Sequence, residues 1–199
     1  MRIAVGEAVE VVNGQGTIAT ALVSSIDKHS TTLQILNTRT VLRPERQIIL
    51  AIPLMRPNKL EFIVEKGTEL GVGCFWLYSA DFSEKAELSV NQLERLRNLT
   101  VSALKQSGRL FLPGFEILSS LEKINGFLLF GDTRPEAPSI LDIELHPTTI
   151  FVTGPERGFS LEEVELLEKK AKGIKLNANI LRAETAPLAA ASILGLLHG

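Results

Sequence analysis

The chain has 199 residues, 45% of them hydrophobic and 22% charged, with a formal net charge of -2, three histidines and one cysteine. This is the composition of an ordered globular protein, long enough for a small domain joined to a medium one, which is the organisation we expect. It excludes an internal disulfide and a polycation that coats nucleic acid, and no metal is expected because His29, His146 and His198 lie far apart without a cysteine or carboxylate pattern of metal-ligand spacing.

The longest apolar run, Ala186 to Leu197, is too short to cross a bilayer and no apolar leader follows Arg2, so a cytoplasmic location without membrane attachment is expected. Seven basic side chains stand against four acidic ones in the first sixty residues, and acidic residues prevail in the remainder. The asymmetry fits a phosphate-contacting surface and an ordinary solvated one equally well.

In chain order, the alternation Ala8-Val9-Glu10-Val11-Val12 and the segments Thr17 to Ser24 and Thr31 to Leu36 predict short antiparallel strands of a small β-barrel or curled sheet. Asn13-Gly14-Gln15-Gly16 reads as a hairpin turn, since neither a Lys-Ser/Thr pair nor a helix follows to make it a phosphate loop. Pro53 and Pro57 interrupt the pattern, and a boundary is placed there: residues 1–52 form the first domain and 53–199 the second. Leu60, Ile63, Val64 and Gly67 then recur at helical spacing up to a stop at Leu70-Gly71. Phe75 to Tyr78 predicts a strand, Asn91 to Ser107 an amphipathic helix, Phe127 to Phe130 and Thr149 to Val152 two further strands. A capping box at Ser160-Leu161-Glu162-Glu163 opens a helix to about Lys172. Ile174 to Leu176 predicts a short strand, and Pro187 lies in the first turn of a closing helix. This alternation is that of an α/β domain with a mainly parallel sheet covered on both faces.

Two segments follow predicted strands at the end of the sheet where open α/β folds bind ligands. In Gly154-Pro155-Glu156-Arg157-Gly158-Phe159-Ser160 the glycines permit close backbone approach, and the helix start beyond offers free N–H groups. In Asn179-Ile180-Leu181-Arg182-Ala183-Glu184-Thr185-Ala186 two apolar residues fit a slot for a flat base, and Arg182 presents a planar cation with five donors. The plain alternatives are a capped turn for the first segment and a surface ion pair before a helix for the second. Gln106-Ser107-Gly108-Arg109 ends a helix; Gly108 fits a C-cap, whereas Gln106 and Arg109 are of the type that bind RNA or a partner subunit.

These motifs, together with Asn58-Lys59-Leu60-Glu61 running into Glu65-Lys66-Gly67-Thr68-Glu69-Leu70-Gly71-Val72 and with Pro113 after Gln106-Ser107-Gly108-Arg109, resemble the RsmE family of ribosomal RNA small-subunit methyltransferases in the SPOUT superfamily. The resemblance implies a PUA-like RNA-binding β-barrel followed by an α/β domain with a C-terminal trefoil knot, an exception to ordinary topology. It implies a homodimer that transfers methyl from S-adenosyl-L-methionine to N3 of a uridine in 16S ribosomal RNA of the small subunit. The cofactor would be held by Thr153, Gly154, Pro155, Glu156, Gly158, Leu176, Asn177, Ile180, Leu181, Arg182, Thr185 and Ala186. Arg39, Arg43, Arg46, Lys59, Lys66, Gln106 and Arg109 are the RNA-contacting candidates. Arg182 and Glu184 are the catalytic candidates: Arg182 as stabiliser of the charge that develops on uracil or as holder of a phosphate, Glu184 as proton acceptor or as orienting partner of Arg182.

Four positions depart from the family pattern. Arg157 stands where the family usually has a second Gly, Asn177 and Asn179 replace a Gly and an Arg, and Lys105 replaces a Glu before Gln106-Ser107. A bulky cation at Arg157 is expected to tighten or obstruct the cofactor loop. The segment before Val5-Gly6-Glu7-Ala8-Val9 is also shorter than the family's by about a strand, so Met1 reads either as a misassigned start or as the start of an N-terminally shortened barrel. The second reading of the whole chain is a non-catalytic RNA- or ribosome-binding protein that retains the SPOUT fold.

Overall fold

The structure, a computed structural model, describes residues 3–83 and 87–198; Met1 and Arg2, on which the expectation about the start falls, lie outside them. Strands β1 (Ala8–Val12), β2 (Thr17–Ile26) and β3 (Thr31–Thr40) form an antiparallel sheet in that order. Alternate residues of β2, Ala19, Ala21 and Val23, are buried on one face, as the two-residue period of a strand requires. Register shifts at Thr20/Ala21 and Val23/Ser25 add local twist and curl the ribbon.

The turn between β1 and β2 is the expected hairpin. Asn13 Oδ1 accepts from the backbone N–H groups of Gln15 and Thr17 at 2.8 and 3.0 Å. It also docks the small sheet on the rest of the molecule. Gly16 N–H donates to Leu110 O at 2.8 Å, and Leu112 N–H to Gly14 O at 2.9 Å. Gly16 sits at φ 97° with the Phe111 ring 2.5 Å from where a Cβ would be, so both its backbone angle and its surroundings demand glycine.

The second sheet contains β4 (Gln47–Pro53), β5 (Cys74–Tyr78), β6 (Gly114–Leu118), β7 (Leu128–Gly131), β8 (Thr148–Val152) and β9 (Ala171–Ile174). They pair in the order β6-β5-β4-β8-β7-β9, and every pairing is parallel. Here the sequence reading needs correction, because β4 was read as no element and its residues to Ile52 were given to the first domain. The chain crosses between the sheets within residues 41–46, and β4 is a central strand of the larger one. Ile48-Ile49-Leu50-Ala51-Ile52 has no alternation because both of its faces are buried, the normal condition of a central parallel strand. Edge strand β6 was also missed, a five-residue stretch with Phe115 half-buried and Glu116 exposed.

Helices α1 (Pro57–Glu69), α2 (Val90–Ser107) and α4 (Thr185–His198) cover one face, where Leu60, Ile63, Leu96 and Leu194 meet Leu50, Ile52, Phe75 and Phe151. Helix α3 (Leu161–Lys170) and a 3-10 turn at Leu121–Lys123 cover the other, where Leu167 and Leu121 meet Ile49, Ala51, Ile150 and Val152. Odd and even residues of β4 thus feed opposite cores. The capping box expected at Ser160 is formed with Glu163, and a second one joins Ser89 to Gln92 at the start of α2. Gly108 closes α2 in the left-handed conformation with its N–H on Leu104 O, the C-cap alternative.

Candidate functional site

The loops that leave the carboxyl ends of β7, β8 and β9 converge on a cavity of about 760 Å3, within the roughly 300–1,000 Å3 of small-molecule sites. The first loop contributes Gly131, Asp132, Thr133 and Pro135. The second contributes Thr153, Gly154, Pro155, Glu156, Gly158 and Phe159. The third wraps the remainder with Lys175 to Ala183 and Ala186. The floor is the end of the sheet itself, Phe151, Val152 and Ile174.

Each wall is fixed by identifiable bonds. Tyr78, buried at the end of β5, donates its hydroxyl to Thr153 O at 2.7 Å, and Thr153 N–H continues the ladder to Ala51 O at 3.0 Å. These bonds leave Thr153 Oγ1 buried without a protein partner among the described residues, a polar atom at the cavity wall that a ligand would satisfy. Asp132 is clamped by Arg134, whose Nε and Nη2 donate to it at 2.6–3.0 Å, so hydrogen bonding from Arg134 holds the Asp132 carboxyl below its usual range. The third wall is tied across to the loop after β7, because Lys175 N–H donates to Pro138 O at 2.7 Å and Ile140 N–H to Lys175 O at 3.0 Å. At its end Arg182 O accepts the N–H groups of Thr185 and Ala186, both at 2.9 Å, which starts α4. The Arg182 guanidinium makes no hydrogen bond or ion pair among the described residues and is exposed at the cavity.

The segment 43–195 matches the model of an RNA methyltransferase domain, and residues 1–36 match that of an RNA methyltransferase PUA domain. Ribosomal RNA small subunit methyltransferase E of Aquifex aeolicus is 31% identical over 90% of this chain and 82% of its own length. The chain belongs to that family. The crystal structure of the ribosomal RNA small subunit methyltransferase E of Neisseria gonorrhoeae, bound to S-adenosyl methionine, superposes with a TM-score of 0.86 at 26% identity, over 98% of this chain and 85% of that one. A SpoU methyltransferase of Streptomyces viridochromogenes in complex with AdoMet shares the fold more distantly, with a TM-score of 0.51 at 14% identity over 80% of this chain and 61% of that one. The expected SPOUT-type α/β fold with a small PUA-like sheet is the one observed.

Of the residues expected at the cofactor, Thr153, Gly154, Pro155, Glu156, Gly158, Leu176, Asn177, Ile180, Leu181, Arg182 and Ala186 line the cavity. Thr185 does not; it lies on the first turn of α4, exposed to solvent. Glu184 is likewise off the lining and forms an ion pair with Lys59 instead, at 3.2 Å, its buried Oε2 taking no hydrogen bond among the described residues. Asp132, Thr133, Pro135, Phe159 and Lys175 also line the cavity and were missed. For Asp132 and Pro135 a signal existed: Gly131-Asp132-Thr133-Arg134-Pro135 also follows a strand, but it has no motif of its own.

The basic residues expected at RNA differ in how they are held, and Arg46 and Arg109 line one groove. Lys59 is engaged by Glu156 and Glu184, and Lys66 by Glu65 and Glu69, both at 2.8 Å. Arg109 is half-buried and donates from Nη1 to Thr68 O and Val72 O at 2.7 and 2.9 Å, satisfying carbonyls where α1 ends. Arg43 lies over the Phe111 ring at 5.1 Å, and Arg46 reaches His198 O at 3.4 Å. Arg39 on β3 and Gln106 at the end of α2 are exposed.

Arg157 is not among the residues that line the cavity. Its guanidinium lies 4.6 Å from the centroid of the Phe82 ring, a cation–π contact that carries the side chain outward. The adjoining Ser160 hydroxyl donates to Asp81 at 2.5 Å and Asp81 N–H donates to Glu163 at 3.2 Å, so the loop after β5 is fastened to the start of α3 independently of Arg157. Arg157→Ala is therefore expected to leave the affinity for S-adenosyl-L-methionine within about threefold of the native value, since an exposed cation–π pair contributes only about 0.5–1 kcal/mol. Isothermal titration calorimetry checks this, and a gain of tenfold or more would show that Arg157 obstructs the loop after all.

Proposed function

We propose that this chain transfers a methyl group from S-adenosyl-L-methionine to N3 of a uridine in 16S ribosomal RNA of the small ribosomal subunit, acting as a cytoplasmic homodimer. The observation that carries this reading is the cavity at the carboxyl ends of β7, β8 and β9, built by the segments that follow those strands in a chain of this family. The lining suits the cofactor: apolar walls at Leu176, Ile180 and Leu181 for a flat base, and the orphaned Thr153 hydroxyl for a polar edge. Exposed Ile180 and Leu161 beside the cavity and Leu196 on α4 supply apolar surface for a second copy. We assign the segment between β9 and α4 the trefoil path that the resemblance implies. Among the described residues no helix is long and apolar enough to cross a membrane, and no cluster of side chains could hold a metal ion. We divide the chain into a small RNA-binding unit ending before β4 and a catalytic unit from β4 onward.

When bound, the cofactor supplies a methyl group already activated by its sulfonium charge. The chain must orient the base and manage a proton, because uracil N3 is a poor nucleophile while protonated. We assign Arg182, exposed in the cavity lining, the stabilisation of negative charge on the carbonyl oxygens flanking N3 as the proton leaves. Glu184 is a poor proton acceptor in this setting. Burial raises its pKa, but a hydrogen bond from its own backbone and the Lys59 and Arg182 charges together hold it below the ordinary carboxylate value, so we assign it an orienting part.

The deciding experiment incubates the purified protein with labelled S-adenosyl-L-methionine and small ribosomal subunits that lack the modification, and digests the RNA for nucleoside mass spectrometry. Labelled 3-methyluridine is the expected product. Cofactor binding without methyl transfer would instead make the chain a non-catalytic ribosome-binding member of the fold.

A further inference from the structure

Lys59, in the first turn of α1, reaches out of its helix to two carboxylates that belong to different walls of the cavity. Its Nζ lies 3.0 Å from Glu156 Oε1, in the loop after β8, and 3.2 Å from Glu184 Oε2, at the end of the segment before α4. All three side chains are only about a quarter exposed or less, at 26%, 25% and 18%. The topology makes this junction possible. Strand β4 pairs with β8, so the start of the helix that follows β4 stands beside the loop that follows β8, and α4 packs against α1 in the same core.

We propose that Lys59 is a positioning residue: one ammonium pins both loops and thereby sets the shape of the cofactor cavity. This inference rests on the reading of the cavity as a cofactor site. Neither carboxylate has another ion-pair partner among the described residues, since Arg157 is turned onto Phe82 and the Arg182 guanidinium forms no ion pair. Removing the ammonium would therefore leave two like charges, each previously in contact with the same nitrogen, facing one another in a partly dry crevice. Their repulsion acts directly on the loops, pushing the wall that holds Pro155 and Gly158 away from the wall that holds Leu181 and Arg182. The Lys59 pKa is raised, chiefly by its hydrogen bond to Glu156 and in spite of burial, which favours the charged form of the pin. Lys59 matches the apolar-helix motif of the sequence only as a flanking cation, and nothing in its spacing announces a bridge between residues 97 and 125 positions downstream.

The test compares Lys59→Met and Lys59→Arg in the full chain. Hydrogen exchange of the protein without cofactor is read over residues 154–159 and 177–184, and calorimetry with S-adenosyl-L-methionine gives affinity. Lys59→Met is expected to speed exchange in both segments together while β5 and α2 stay protected, and to weaken cofactor binding about tenfold. Lys59→Arg, which keeps the charge and can reach both oxygens, restores exchange and affinity. In a Glu156→Gln/Glu184→Gln background the repulsion is gone, and adding Lys59→Met should change exchange little further. Unchanged exchange in Lys59→Met, or loosening of one segment alone, overturns the proposal. A native chain that binds no S-adenosyl-L-methionine would overturn the functional reading instead, because the exchange result does not depend on the ligand.

Discussion

Arg182→Ala should lower kcat for uridine methylation by about 100- to 1,000-fold, the loss seen when a donor aimed at developing charge is removed from an enclosed site. Among the described residues the guanidinium makes no hydrogen bond or ion pair with the protein, whereas Lys59 is shared by two carboxylates, Arg134 is clamped to Asp132 and Glu168, Lys175 donates to Pro135 O, and Arg157 lies on Phe82. Its backbone has a separate duty, since Arg182 O starts α4, and alanine keeps that carbonyl. Arg182→Lys retains the charge but not the planar pair of donors, so partial recovery is expected, by about tenfold over alanine. Steady-state kinetics with the RNA and the cofactor varied separately decides the role. A loss confined to KM for RNA would make Arg182 a phosphate holder, and a loss confined to cofactor affinity would make it part of the methyl donor's binding site alone.

Arg109→Met is expected to cost about 2 kcal/mol of stability and to lower the melting temperature by roughly 4–8 °C, with no effect on the salt dependence of RNA binding. The guanidinium donates to Thr68 O and Val72 O from a half-buried position, and burial, the larger cause, together with the nearby Arg43 charge pushes its pKa below the usual arginine value. Methionine fills similar volume but leaves both carbonyls short of a donor at the point where α1 turns into the approach to β5. An unchanged melting temperature with a shallower salt slope, by about one unit, would return Arg109 to the RNA surface. Arg39 makes the contrast: both arginines are expected at RNA, and burial separates the anchor from the solvated side chain.

Local signals carried most of the secondary structure. The capping box at Ser160, the left-handed glycine at 108 and the alternation in β1 and β2 are properties of neighbouring residues, and they appear in the fold where their spacing placed them. β4 escaped because a strand buried on both faces has no period to detect. Pro53, with Pro57 after it, reads as a break between domains, although the strand that Pro53 ends lies at the centre of the larger sheet.

The site divides in the same way. Two of its three loops were legible because glycines, a proline and a lone cation after predicted strands are unusual in packing, and those loops do meet at the cavity. Local residue patterns were enough for the alternating α/β order, the places where loops leave the strands, and the family resemblance carried by ordered motifs. Tertiary structure alone decided which charges were free. Strand order brought the start of α1 beside the loop after β8, so Lys59 became a bridge and Glu184 its partner, while Arg109 was drawn inward to the end of α1. Charge on a side chain is fixed by its chemistry, whereas its availability to a ligand depends on partners that lie far away along the chain and are brought near only by the sheet.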